Sequence, residues 1–280
     1  MTSAASVPSV RRVPIDLLTV VSIAFLAYLL GTALHEHLGH AVSCLALGGT
    51  LRELGAFYVD CSYGGMSDLG IRLVALAGPL VSLLTGLVCF AVLRAGRVTS
   101  PHLIFFLWLL GSVGALTASG YLLFSGVTGL GDFGTSRDGA AYELSPEWLW
   151  RTLLVALGVA AYTLSVRVML ARMGAVIGGE GVARVRHAQR LSLTSYLAGG
   201  VVSVLVGLFN PLGLVIVLTS AAAASLGGTS GLAWTMQFMN RHVQSSQPPL
   251  ALPRNWAWTL GGLLFTLLYA VFLGPSIRLR

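Results

Sequence analysis

His35-Glu36-His37-Leu38-Gly39-His40 follows an almost wholly apolar run that extends from residue 15 to residue 34. Three imidazoles and one carboxylate therefore fall within six residues, at the end of a run long enough to cross a membrane. Ionisable groups at membrane depth are costly, and they usually face a protein interior or a water-filled cavity. We call residues 35–40 the HEHLGH segment, and it predicts a metal site at the end of a membrane helix.

The composition of the chain is that of a membrane protein. Of its 280 residues, 55% are hydrophobic and only 10% are charged, whereas about 25% are charged in a typical soluble domain. The arginines lie mostly in short segments between apolar runs, a pattern that sets the orientation of membrane proteins. We therefore read the net charge of +7 as an orientation signal, and we expect no nucleic-acid partner.

The apolar runs predict an all-α polytopic fold with six or seven transmembrane helices. The predicted helices are 13–47, 71–93, 102–128, 148–170 and 256–273, and an apolar stretch at 191–226 is broken at Asn210-Pro211 into two short spans or one kinked hairpin. We expect 1–12 to be a cytoplasmic tail, 13–135 a three-helix core, and 136–280 accessory helices of the same membrane unit. The first apolar run is longer than the core of a typical signal peptide, so we expect it to be retained.

Residues 50–70 differ in character from the helices around them. Phe57, Tyr58 and Val59 favour a strand, and Gly64-Gly65 marks a turn. This segment predicts a short β-like hairpin or a re-entrant insert after the first helix. Open backbone at membrane depth requires protein or water to satisfy it.

The distribution of charge predicts that an aspartate lies at the same membrane depth as the HEHLGH segment. With a cytoplasmic N-terminus, the Arg-rich residues 172–190 lie inside and the acidic residues 129–147 lie outside. The first and third helices then both end at the outer face. Asp132 directly follows the third helix, so we expect it to lie near the three histidines.

The three cysteines do not predict a disulfide framework, because their number is odd and their spacing is irregular. Cys44 stands four residues after His40, so a ligand role is conceivable. We expect it instead to be a small packed residue.

The HEHLGH segment holds the ligand types of a catalytic zinc site at an unusual spacing. Such a site uses three protein ligands, and in H-E-x-x-H two histidines share one helix face at i and i+4. His35 and His40 are five residues apart, about 140° around a regular helix. A π-bulge would unite them and leave Glu36 as the base. In a regular helix His40 would share its face with Glu36 or His37, which become alternative ligands. We favour the bulge, because Gly39 permits local distortion.

The HEHLGH segment, followed by Ala41, resembles the zinc-binding helix of the site-2 protease family of intramembrane metalloproteases, which carries H-E-x-G-H-A. The order of features is similar as well, over about residues 15–135. In that family a β-like insert follows the first helix, and the next helix commonly opens with a Gly-Pro motif, here Ala77-Gly78-Pro79-Leu80. The third core helix of the family supplies an aspartate ligand.

The resemblance implies that His35, His40 and Asp132 hold Zn²⁺ and that Glu36 is catalytic. Two features depart from the family pattern. The first motif has one extra residue, as in the H-E-x-x-G-H of dipeptidyl peptidase III. The aspartate stands in Gly-Asp-Phe rather than Leu-Asp-Gly, and the literal Asp-Gly pair begins at Asp138. We prefer Asp132 because it abuts the helix.

The HEHLGH segment and the resemblance together imply a zinc metalloendopeptidase embedded in membrane lipid. It would hydrolyse a peptide bond in or near a transmembrane segment of a membrane-anchored protein. Two alternatives stay open. The extra residue in the motif favours a catalytically degenerate homologue that binds membrane partners without cleaving them. Helices broken by Pro and Gly suit a transporter, although the sequence has no evident paired repeats.

Overall fold

The computed structural model describes residues 13–211, 213–214, 217–243 and 245–279, so the tail predicted at 1–12 lies outside the described residues. Five helices are long and apolar enough to cross a membrane: α1 (Leu17–Ala46), α2 (Asp68–Arg94), α3 (Pro101–Thr128), α4 (Glu147–Val176) and α5 (Gly181–Gly207). After them come a π-helix at Val217–Gly228, a 3₁₀-helix at Ser230–Trp234, and the α-helices α6 (Thr235–Phe238) and α7 (Trp256–Phe272). The chain thus has the character of a helical membrane protein, as predicted.

Local signals explain where the core helices start and stop. Ser67 and Ser100 cap α2 and α3, each accepting a hydrogen bond from a backbone N–H of the first turn. Gly129 ends α3 in the left-handed conformation, with φ +78°. The bounds predicted for these two helices agree with the structure to within three residues.

Two of the accessory helices, α4 and α5, are longer than predicted. α4 continues to Val176 and α5 begins at Gly181, so the Arg-rich loop expected at 172–190 shrinks to residues 177–180. Arginine is a good helix former, so a cluster of arginines marks a membrane boundary without ending a helix. α5 ends before the predicted break at Asn210-Pro211. α7 has only 17 residues, and the total of six or seven spans stays a prediction.

The predicted hairpin is present as part of a three-stranded antiparallel sheet. β1 (Thr50–Leu54) pairs with β2 (Val59–Ser62) across the turn, and the C-terminal strand β3 (Ile277–Arg278), which was not predicted, pairs with the other edge of β1. The order is therefore β2-β1-β3, and β2 keeps one edge without a strand partner in the described chain.

A disulfide between Cys44 and Cys61 joins the last turns of α1 to β2, with the two Cα atoms 6.1 Å apart. The expectation that the cysteines form no disulfide is wrong for this pair. The hairpin folds Cys61 back onto the end of α1, a long-range contact that an odd cysteine count does not reveal. Cys89 is free and buried.

α1 and α7 start at the same end of the molecule and run in the same direction. The Thr19 and Thr259 hydroxyls lie 3.1 Å apart near the two helix starts, and the Tyr269 hydroxyl donates to the Ala56 carbonyl of the hairpin at the other end. The last turns of α1, the hairpin and the loop after α3 therefore meet at one end of the helix bundle.

Candidate metal centre

The HEHLGH segment lies in a π-helical section of α1, Leu34–Ala41. The turns of a π-helix close at i+5 rather than i+4, so residues five apart lie on one face. The Nε2 atoms of His35 and His40 are consequently only 3.2 Å apart. Of the two registers considered from the sequence, the structure has the bulged one.

Asp132, in the loop after α3, completes a group of three. Its carboxylate oxygens lie 3.1 Å from His35 Nε2 and 3.5 Å from His40 Nε2. In a tetrahedral zinc site with bonds of about 2.0–2.1 Å, the ligand atoms are about 3.3 Å apart. The observed separations, of which the shorter is to Asp132 Oδ2 and the longer to Asp132 Oδ1, fall on both sides of that value, so the group has the size of a zinc site.

Hydrogen bonds from α2 orient the two imidazoles. His40 Nδ1 lies 2.8 Å from the Val74 carbonyl, which can only accept, so Nδ1 carries the proton and a neutral ring presents a bare Nε2. His35 Nδ1 is 2.9 Å from the Ser82 hydroxyl. Outer partners of this kind fix the tautomer of histidine ligands in metal sites.

The third ligand candidate has an unsatisfied oxygen. Oδ2 of Asp132 is buried and makes no hydrogen bond in the part of the chain that the structure describes. Burial raises the pKa of this carboxyl, but the His40 and His35 imidazoles in their protonated forms together lower it by more, and the pKa lies below its ordinary value. When both rings are neutral, a carboxylate and two imidazoles converge on one point, as they do around a cation.

A close approach of α1 and α2 makes room for the ligands. A Cβ added to Gly39 would lie 2.6 Å from the Cα of Gly78. A Cβ added to Gly78 would lie 2.3 Å from His40 Nε2 and 2.7 Å from His35 Nε2. The two glycines therefore permit a close approach of the two backbones at the site itself.

Glu36 lies beside this group and is 6% exposed. Together with His40 and Asp132 it lines a cavity of about 440 Å³. No described residue donates a hydrogen bond to its carboxylate. A second cavity of about 30 Å³, lined by Glu36, His35 and Ser82, is large enough for a water molecule.

The alternative ligands are not part of the group. In the described part of the chain, one group of three acidic, histidine or cysteine side chains has its ligand atoms within 4.8 Å of one another. This group consists of His35, His40 and Asp132. His37 lies outside this group, and its ring nitrogens are buried without a hydrogen-bond partner in the described chain. Asp138 lines the larger cavity without joining the group. Cys44 is engaged in the disulfide.

Several neighbours of the group were not predicted. The Tyr121 ring stacks on His35 with centroids 5.0 Å apart. Ser220 and Ser225 of the π-helix line the smaller cavity. Val74, Gly78 and Ser82 recur every fourth residue on one face of α2, which is the only sequence signal that could have identified the partners of the histidines.

No family model, no curated protein and no solved structure matches the chain.

Proposed function

We propose that this chain is an intramembrane zinc metalloprotease. One observation carries the proposal: the metal-binding atoms of His35, His40 and Asp132 stand at tetrahedral spacing beside the buried carboxylate of Glu36. The group lies at the end of a helix of membrane length, next to a cavity that admits water.

The roles of the residues follow from their positions. A zinc ion held there would lower the pKa of a bound water toward neutrality and polarise a carbonyl group. Glu36 would accept a proton from the attacking water and deliver it to the amine that leaves. His35, His40 and Asp132 act as the ligand set, with Ser82 and the Val74 carbonyl holding the imidazoles in place.

The substrate would be a membrane-anchored protein whose scissile bond is unwound from its helix. Val59 and Cys61 of β2 line the same cavity as Glu36. Because β3 occupies the far edge of β1, an extended substrate segment is expected to pair with the free edge of β2. Pairing there would hold the bond next to Glu36.

The extra residue in the motif favoured a degenerate homologue. Since the π-helical section accommodates that residue and keeps both imidazoles together, we prefer the enzyme. We also propose that the site faces the extracytoplasmic side, with a cytoplasmic N-terminus. The Cys44–Cys61 disulfide supports this orientation, because disulfides persist mainly in oxidising compartments.

The test compares new protein N-termini in membranes from cells that express wild type, Glu36→Gln, His40→Ala or Glu143→Gln. Glu143 is an exposed acidic residue of the loop after α3, and its variant is the matched control. Cleavage in or near transmembrane segments should appear with wild type and Glu143→Gln only. Purified Glu36→Gln should still bind zinc stoichiometrically, since Glu36 is not in the ligand set.

Cleavage that persists in Glu36→Gln would remove the base assignment. Stoichiometric zinc in wild type without any cleavage, in cells or with purified protein, would favour the partner-binding alternative.

A further inference from the structure

The loop between α3 and α4, residues 129–146, carries Asp132 and has little regular structure of its own. Asp132 must nevertheless hold its carboxylate to within a few tenths of an ångström if it is to complete a zinc site. His35 and His40 are held by one helix, α1. The position of the third ligand, Asp132, depends instead on the contacts that hold this loop against the helix bundle.

Arg72 makes that connection from the second turn of α2. Its guanidinium donates to the Ala140 carbonyl at 2.8 Å and to the Tyr142 carbonyl at 2.9 Å. The backbone N–H of the same Ala140 donates to the carbonyl of Asp132 at 2.8 Å. A continuous path of hydrogen bonds therefore runs from α2 through Ala140 to the backbone of Asp132.

The same helix already orients the other two ligands. Val74 and Ser82 of α2 hold His40 and His35 through their Nδ1 atoms. With Arg72 included, one rigid helix sets the relative position of all three ligand side chains, although none of the three belongs to it.

The chemistry of Arg72 suits this role. A planar guanidinium can donate hydrogen bonds to two carbonyl oxygens at once, whereas an ammonium group is a compact charge without this planar geometry. Arg72 forms none of the ion pairs found between described residues. Its two contacts are to backbone carbonyls, so they depend on the path of the loop and not on the loop's side chains.

We propose that Arg72 is a positioning residue for the metal centre, which fixes the carboxylate of Asp132 by holding the 129–146 loop onto α2. The inference rests on the metal site of the proposed function, but it does not require that the site cleave peptides.

The experiment measures Zn²⁺ affinity of the full chain in detergent micelles by competition with a chromophoric chelator. Arg72→Gln removes the guanidinium that donates to the two carbonyls. The control is Arg94→Gln, which removes an exposed arginine from the last turn of the same helix. Partners outside the ligand set typically contribute 10- to 100-fold to metal affinity. We expect a loss of about that size in Arg72→Gln, and wild-type affinity in Arg94→Gln.

A double-mutant cycle separates positioning from a general loss of stability. If Arg72 acts through Asp132, adding Arg72→Gln to Asp132→Asn produces no further loss of Zn²⁺ affinity. The visible absorption spectrum of bound Co²⁺ in Arg72→Gln should likewise shift toward that of Asp132→Asn, because both lose the same ligand.

Unchanged Zn²⁺ affinity in Arg72→Gln, or an equal loss in both backgrounds, would overturn the inference while leaving the protease proposal standing. A wild-type chain that binds no Zn²⁺ would overturn both. Should Arg72→Gln fail to fold, Arg72→Lys gives the same test, since its ammonium lacks the planar geometry of the guanidinium.

Discussion

Gly78→Ala tests the geometry of the metal centre with the addition of one methyl group. The new Cβ would lie 2.3 Å from His40 Nε2 and 2.7 Å from His35 Nε2, whereas ordinary contacts begin at 3.4 Å. To restore an ordinary contact, His40 Nε2 would have to withdraw by about 1 Å, several times the ~0.2 Å tolerance of a metal–ligand bond. We therefore expect Zn²⁺ affinity to fall by at least ~100-fold, the upper end of the effect of losing an outer partner.

Two glycines provide matched controls for this variant. Gly86 lies two turns further along α2, and a Cβ there would meet the backbone of α3 at 3.0–3.1 Å. Gly86→Ala should cost about 1–3 kcal/mol of stability through overpacking and leave Zn²⁺ affinity unchanged. Gly261 in α7 has open space around it, so Gly261→Ala should change neither quantity.

The assay combines Zn²⁺ competition with thermal unfolding of each purified variant in detergent. The informative comparison is between Gly78→Ala and Gly86→Ala at similar melting temperatures. If Gly78→Ala binds Zn²⁺ as tightly as wild type, the imidazoles do not converge beside α2, and the reasoning about the ligand set is refuted.

Two further predictions concern the disulfide and the start of α1. In protein prepared without reductant and then denatured, maleimide should label only Cys89. After reduction it should label Cys44 and Cys61 as well, and three reactive thiols without reductant would contradict the disulfide. The Arg254 guanidinium, 2.7 Å from Asp16, and the backbone N–H of Thr19 hold the pKa of the Asp16 carboxyl well below its usual range. Because the folded-state pKa is depressed, this stabilisation is present above about pH 4 and is lost as the pH falls through the folded value. Asp16→Asn should therefore lower the melting temperature near neutral pH, by a margin that shrinks in acid; a margin independent of pH would show that the charge is irrelevant.

Much of this fold is readable from the sequence because hydropathy alone marks a membrane helix. Serine caps and a terminal glycine set the ends of α2 and α3, and these signals are local. The proximity of Asp132 to the histidines was also predictable, since alternating spans put the ends of α1 and α3 at one face. That inference needed only the order of the helices and the sign of the loop charges.

Other features depend on contacts that no local pattern encodes. The Cys44–Cys61 disulfide and the pairing of β3 with β1 join segments whose meeting is decided by packing. Arg72 is one arginine among 17, and its role depends on the path of a loop about 70 residues away. The positioning of the ligands is therefore the part of the site that the sequence predicted least.

The π-helical section absorbs the extra residue of the HEHLGH segment without changing the phase of the helix that follows. His40 returns to the face of His35 after five residues, whereas a regular helix returns to that face after about four. Cys44, four residues after His40, therefore lies on the face from which it reaches Cys61. The π-helical section keeps both the ligand pair and the disulfide in phase along one helix. Ser43 supports it by donating to the Gly39 and His40 carbonyls at its end, so the extra residue changes the local path of the helix and not the face on which the ligands lie.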